Sequence, residues 1–268
     1  GNRGPSLPPE AMAALEGSAE PYEFSAVDAS FSCLAEASTQ ERLLRWGMDK
    51  DLKVQRFKMS GRHFESALAE DLLSDLTASV AFSSALGLAG PISKADFSST
   101  CRVTPLAATV LNMGFFDVYE AQGLVAGNGY FRKTMQEHVA GIDVDDMVLD
   151  SLLNPESEHQ TIFSPDQQGE FIFHIFRLLC IGGGMHQRDE QVTDYLDTAK
   201  GVYKDLMTVH KSAKSGKIEI TSEVYQIASE DPAAPLFSAP SEHNRCYAIV
   251  DAKKRYVTVV HSTWKSFW

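Results

Sequence analysis

Cysteine is scarce and unpaired in this chain: Cys33, Cys101, Cys180 and Cys246 are the only four in 268 residues, and no two form a CxxC pair. Such spacing argues against a disulfide framework and fits a reducing compartment. Positive charge is also short, with 24 Lys and Arg against 36 Asp and Glu and a net charge of −12. Nucleic-acid backbones and anionic lipids are bound by cationic side chains that release counterions, so neither is expected as the main partner. The densest basic group, Lys253-Lys254-Arg255, reads as a hairpin turn. Long apolar runs are missing too. The one uncharged stretch of sufficient length, Leu76 to Ser93, carries Thr77, Ser79, Ser83, Ser84, Gly87, Gly90 and Pro91 and is too polar for a membrane-spanning helix. It reads as a semi-buried or mobile segment, and no membrane insertion is expected. No N-terminal stretch joins a basic start to an apolar core, so no secretory signal is expected either.

Catalytic motifs are equally absent. The chain has no HExxH, no GxSxG, no Rossmann fingerprint, no phosphate loop ending in GK[ST], and no protease-like cysteine context. No catalytic residue, metal ligand or cofactor site is expected, and the chain reads as a non-enzyme. Two other readings stay open. A metal-dependent enzyme would bring His174, His186 or His261 together with acids or Cys180 in one pocket. A small-anion sensor would turn the backbone N–H groups of Gly184 to Gln187 toward an open cleft, against the repulsion of Asp189 and Glu190. Cys180, inside an apolar run, reads as an inert buried thiol.

What is present is the material of an ordinary core, with 44% hydrophobic and 22% charged residues. Pro5, Pro8, Pro9 and Pro21 mark residues 1–21 as a disordered tail, leaving 22–268 as a single α+β globular domain. Ser38 and Glu41 have capping-box spacing, announcing a helix that Gly47 stops. Residues 53–59 alternate as a strand, and Phe64, Leu68, Leu72, Leu73 and Leu76 recur at helical spacing. The run from Thr104 to Phe116 reads as a strand leading into a short helix. A helix is expected over Gly129 to His138, and another over Met147 to Leu153, closed by Asn154-Pro155.

The strongest signals lie further on. Ser164-Pro165-Asp166-Gln167 supplies an N-cap, a first-turn proline, an acid and a capping-box partner. Behind it, Phe171 to Ile181 is apolar nearly all round and must be central. Gly182-Gly183-Gly184 ends it, and an amphipathic helix over Asp189 to Val209 should complete a helical hairpin across the glycines. Lys217 to Ile227 reads as a strand whose parity changes near Thr221 to Glu223, which a bulge would explain. Cys246 to Val250 and Tyr256 to Val260 read as a β-hairpin. The expected fold is α+β, a mainly antiparallel sheet packed against a central helical hairpin. Trp264, Phe267 and Trp268 follow the last strand, either as anchors for a partner or as a cap folded back on the sheet.

These residues carry a family resemblance. Glu170-Phe171-Ile172-Phe173 through Leu179-Cys180-Ile181-Gly182-Gly183, Tyr195-Leu196, Tyr203-Lys204-Asp205-Leu206 and Lys217-Ile218-Glu219-Ile220-Thr221-Ser222 resemble the cilia- and flagella-associated protein 300 family. Arg45-Trp46, Phe115-Phe116 with Tyr119, and Ser164-Pro165-Asp166 add to it. The similarity runs from about Tyr22 to Val260. It departs between Gly61 and Thr100, where this chain is rich in Ser and Ala, and again at the chain end. The resemblance implies a non-catalytic factor in motile cilium biogenesis, present in the cytoplasm and in the cilium or flagellum. Its implied partners are axonemal dynein subunits, dynein-arm assembly factors and cochaperones, and intraflagellar transport particles. Its implied work is to assist the cytoplasmic assembly of outer and inner axonemal dynein arms and their delivery into the cilium by intraflagellar transport.

Overall fold

The computed structural model describes residues 20–211, 216–229 and 236–266. Most of the expected tail, residues 1–19, lies outside them. The chain begins with β1 (Glu23–Val27), α1 (Ser32–Ala35), α2 (Ala37–Arg45) and β2 (Leu52–Ser60). Helices α3 (Ala69–Thr77), α4 (Val80–Leu86) and α5 (Lys94–Thr100) lead into β3 (Cys101–Leu106). Next come α6 (Val118–Ala121), β4 (Lys133–Val139), β5 (Ile142–Asp146) and α7 (Met147–Leu153). Helices α8 (Pro165–Gln168), α9 (Phe171–Ile181) and α10 (Val192–Leu206) follow. The remaining strands are β6 (Val209–Lys211), β7 (Ile218–Ile220), β8 (Glu223–Ser229), β9 (Arg245–Asp251) and β10 (Tyr256–Ser262).

Six strands pair in the order β1-β2-β10-β9-β8-β3, and every ladder is antiparallel. The fold is thus α+β around a large antiparallel sheet, as expected. Side chains alternate across a strand, so the register β10 to β9 sorts them by face. Val257 opposite Val250 and Val259 opposite Ala248 share one face; Val260 opposite Tyr247 takes the other. Both faces are covered, which is why β9 and β10 read as near-continuous apolar runs. Tyr247, Ile249 and Val260 join Phe171, Leu179 and Tyr195 in one core cluster. Ala248, Val257 and Val259 join Leu72, Leu76 and Phe82 in the other.

That second layer settles the Leu76 to Ser93 segment. Ser79 caps α4 by accepting the Phe82 N–H at 3.2 Å, Gly87 ends it at φ 63°, and Phe82, Leu86 and Ile92 are buried. Ser79 and Ser93 are thus helix caps, and Thr77 and Ser83 bond back to carbonyls one turn earlier. No helix among the described residues is long and apolar enough to cross a membrane.

Helix α9 is buried on nearly every side because three surfaces meet it. Phe171 packs edge-on against Tyr247 of the sheet, with centroids 5.4 Å apart. Phe176 touches Phe116 at 4.7 Å, and Phe173 touches Phe163 at 5.1 Å. Helix α10 covers the remaining side. The capping box of Ser164 and Gln167 forms, but on α8; the chain breaks at Gly169 before α9 begins. Between α9 and α10 run residues 182–191, a connection longer than a glycine turn.

Three expectations need correction. The Ser38–Glu41 capping box does not form: α2 starts at Ala37, behind Glu36, with no side-chain cap. Residues 133–139 form β4, where a helix was expected, and pair with β5. Ala140 and Gly141, at φ 53° and 81°, make the two-residue turn with both φ positive that favours a hairpin. Lastly, residues 217–227 do not form one bulged strand. Ile218–Ile220 pairs with β6 in a separate ribbon, and Glu223–Ser229 joins the main sheet. The parity changes because the chain changes sheets at Thr221-Ser222.

Candidate functional site

The predicted chemical centres resolve first. His186 lies just beyond the glycines, and both its ring nitrogens are engaged: Nδ1 with the Ile181 carbonyl at 3.0 Å and Nε2 with the Tyr195 hydroxyl at 3.0 Å. The Asp189 N–H donates to that same hydroxyl at 3.1 Å, so the hydroxyl proton must go to His186 Nε2 and Nδ1–H to Ile181. Asp189 in turn accepts from Trp46 Nε1 and Arg45 Nη1, both at 2.7 Å. His174 sits 3.4 Å from the Tyr247 hydroxyl, and His261 Nε2 donates to the Leu236 carbonyl at 2.7 Å. The three histidines thus serve three separate neighbourhoods and do not converge. Among the described residues, no group of three or more His, Cys, Asp and Glu side chains is disposed to hold a metal ion. Burial pushes the Cys180 thiol well above its usual range, which disfavours a thiolate.

Of the four amides from Gly184 to Gln187, those of His186 and Gln187 are spent inside the protein, as is that of Gly183. Gly183 N–H donates to the Trp46 carbonyl at 2.8 Å, His186 N–H to Gly183 at 3.1 Å, and Gln187 N–H to Arg45 at 2.8 Å. Small size is what the turn requires. A Cβ on Gly182 would meet the His186 ring, and one on Gly183 would meet the Gly47 carbonyl. The segment is a backbone-to-backbone seam between α9 and the end of α2.

Of the C-terminal aromatics, Trp264 is partly buried against the cluster of Val144, Leu149 and Ile181, edge-on to His243 at 5.1 Å. Its backbone N–H donates to the Asn244 side-chain carbonyl at 2.8 Å, while its indole N–H is buried without a partner among the described residues. Phe267 and Trp268 lie outside the described residues.

A mainly apolar surface groove lies elsewhere, beside α10. Its volume is about 460 Å³, and its floor includes Ile172 of the core helix. Its first wall is Val110 to Met113. Glu170 fixes this wall by accepting both the Thr109 N–H, at 2.9 Å, and the Thr109 hydroxyl. The second wall is the flank of α10, with Tyr203 and Met207 inside and Lys200 and Lys204 along the edge. The third is the β6–β7 ribbon. Its register, Val209 opposite Ile220 and Lys211 opposite Ile218, puts all four side chains on one face. The ribbon is rooted at Thr208, whose N–H donates to Ser222 at 2.8 Å and whose hydroxyl donates to Asp251 at 2.7 Å.

Large apolar side chains stay open to solvent here. Leu111 is 56% exposed, and Val209 and Ile218 are each 54% exposed. Sequence reasoning missed this site because Leu111 sits in an uncharged run and Val209 on an amphipathic helical stripe, both of which read as core, while Ile218 reads as one parity of a longer strand. The Ile218-Glu219-Ile220 alternation was the one visible hint, since it marks a two-faced strand.

Fold and groove together define an α+β protein with an open apolar groove beside α10. Its place among known proteins is clear: the chain belongs to the cilia- and flagella-associated protein 300 family, whose model matches residues 21–262. That span includes the Ser- and Ala-rich stretch from Gly61 to Thr100. The chain is similar to a Chlamydomonas reinhardtii protein of that name, 28% identical over 254 residues, covering 89% of this chain and 96% of the relative. A Paramecium tetraurelia protein of the same name is 24% identical over 233 residues, covering 85% and 88%. No solved structure matches.

Proposed function

We propose that this chain is a non-catalytic binding factor in motile cilium biogenesis. It assists the cytoplasmic assembly of outer and inner axonemal dynein arms and their delivery into the cilium by intraflagellar transport. Its partners are dynein subunits, dynein-arm assembly factors and cochaperones, and transport particles. Membership of a cilia- and flagella-associated family supports the setting. The observation that carries the binding role is the open groove, where three large apolar residues remain more than half exposed. Contiguous apolar surface of this kind is characteristic of partner sites. The dynein-arm assignment rests on the family resemblance.

The test is affinity purification of the tagged chain from the cytoplasm of ciliated cells, with quantitative mass spectrometry. Axonemal dynein chains or their assembly cochaperones should be enriched at least about tenfold over an Ile218→Asp variant, because a charge in an apolar contact removes most of the binding energy. A bound fraction free of those proteins would sink the dynein reading.

A further inference from the structure

We infer that the groove receives the apolar face of an acidic amphipathic helix supplied by a protein partner. This rests on the binding reading above and specifies the partner segment. Charge is the first argument. The chain carries 36 acidic residues against 24 Lys and Arg, yet among the described residues no carboxylate lines this groove, and two lysines do. Lys200 and Lys204 are both exposed, and neither makes an ion pair or hydrogen bond among the described residues. They form a ridge shared with a polar cleft on their other side, which contains Glu36, Asp197 and Asp205. None of those acids closes to ion-pair distance of either lysine; Asp205 instead accepts the Cys33 N–H at 2.7 Å. Two unpaired cations beside an apolar channel, on an otherwise acidic protein, select acidic segments and reject basic ones.

Spacing is the second argument. Lys200 and Lys204 stand one turn apart on α10, roughly 6 Å along its axis. Carboxylates at i and i+4 on a helix lying alongside have that same separation. Such a helix would place its apolar stripe between Leu111 on one wall and Val209 and Ile218 on the other, in the manner of helix-in-groove recognition.

The experiment pans phage-displayed random 16-residue peptides on the full chain and measures the best synthetic peptide by fluorescence anisotropy. The enriched pool should carry Leu, Ile or Phe at i, i+3 or i+4 and i+7, with Glu or Asp one turn apart. Binding should weaken at least about tenfold for Ile218→Asp and for the Lys200→Glu, Lys204→Glu pair, and a peptide with its acids changed to Lys should recover binding to that pair. Unfolding midpoints of the variants are checked first; if Ile218→Asp unfolds, Leu111→Asp takes its place.

No enrichment, a pool with strand-like alternation, or binding indifferent to the lysines overturns the inference. So does a dimer in sedimentation that Ile218→Asp abolishes, which would make a second copy the occupant. The two readings fail separately. Peptide binding at the groove with no dynein proteins in the purification overturns the dynein assignment alone, and dynein capture without peptide selection overturns only the helix.

Discussion

Trp46 and Tyr195 stack with ring centroids 4.4 Å apart and planes 10° from parallel, joining the end of α2 to the start of α10. Both rings are fully buried, and both spend their polar atoms on Asp189: Trp46 donates to its carboxylate, and Tyr195 accepts from its N–H. Burial raises the Tyr195 phenol above its usual range, so the hydroxyl stays a donor to His186. The pair locks the 182–191 connection against the core.

Tyr195→Phe tests that lock with almost no change of shape. It keeps the stack but leaves the Asp189 N–H and His186 Nε2 without partners. Buried groups stranded in this way cost about 1–3 kcal/mol, so a loss of about 2 kcal/mol is expected in urea unfolding. A loss below about 0.5 kcal/mol would show that water supplies the missing bonds.

Gly183→Ala probes the seam in front of it. Gly183 has no positive φ, so a methyl group is strained only by what it meets, the Gly47 carbonyl. Overpacking of this kind costs about 1–3 kcal/mol, and rigid backbone on both sides places this site at the upper end. Equilibrium unfolding should show the loss. An unchanged midpoint would mean that the α2 end and the α9 end are not in close contact in solution.

The histidines predict an acid-side loss of stability. Burial lowers His186 from 6.5 to about 4; the carbonyl of Ile181 opposes the shift, and Arg188 adds to it. Burial also lowers His174 to about 4, helped by Arg245 and Arg177. Since the folded values lie below the unfolded ones, the unfolded chain binds more protons between them. The neutral-histidine contribution is therefore complete above about pH 6.5 and falls as pH drops toward 4, by up to about 3 kcal/mol for each group. Urea midpoints measured from pH 8 to pH 4.5 should hold and then decline. His186→Gln should be weaker at pH 7 but flatter below it, and a slope equal to the parent's would remove His186 from the account.

The sequence by itself determined the local elements with one dominant period. The all-round apolar α9, the amphipathic α10 and the β9–β10 hairpin were legible because burial pattern follows directly from how many sides are covered. Tertiary structure alone decided where patterns were weak or shared. Residues 133–139 became a strand because β5 pairs with them across the Ala140-Gly141 turn. Residues 217–227 split between two sheets because Thr208 holds Ser222 at the junction. The groove belongs to the same class of decision: Leu111, Val209 and Ile218 look like core residues in the chain. Only the packing of three separated segments leaves them uncovered, since exposure depends on what arrives from elsewhere and not on the residues themselves.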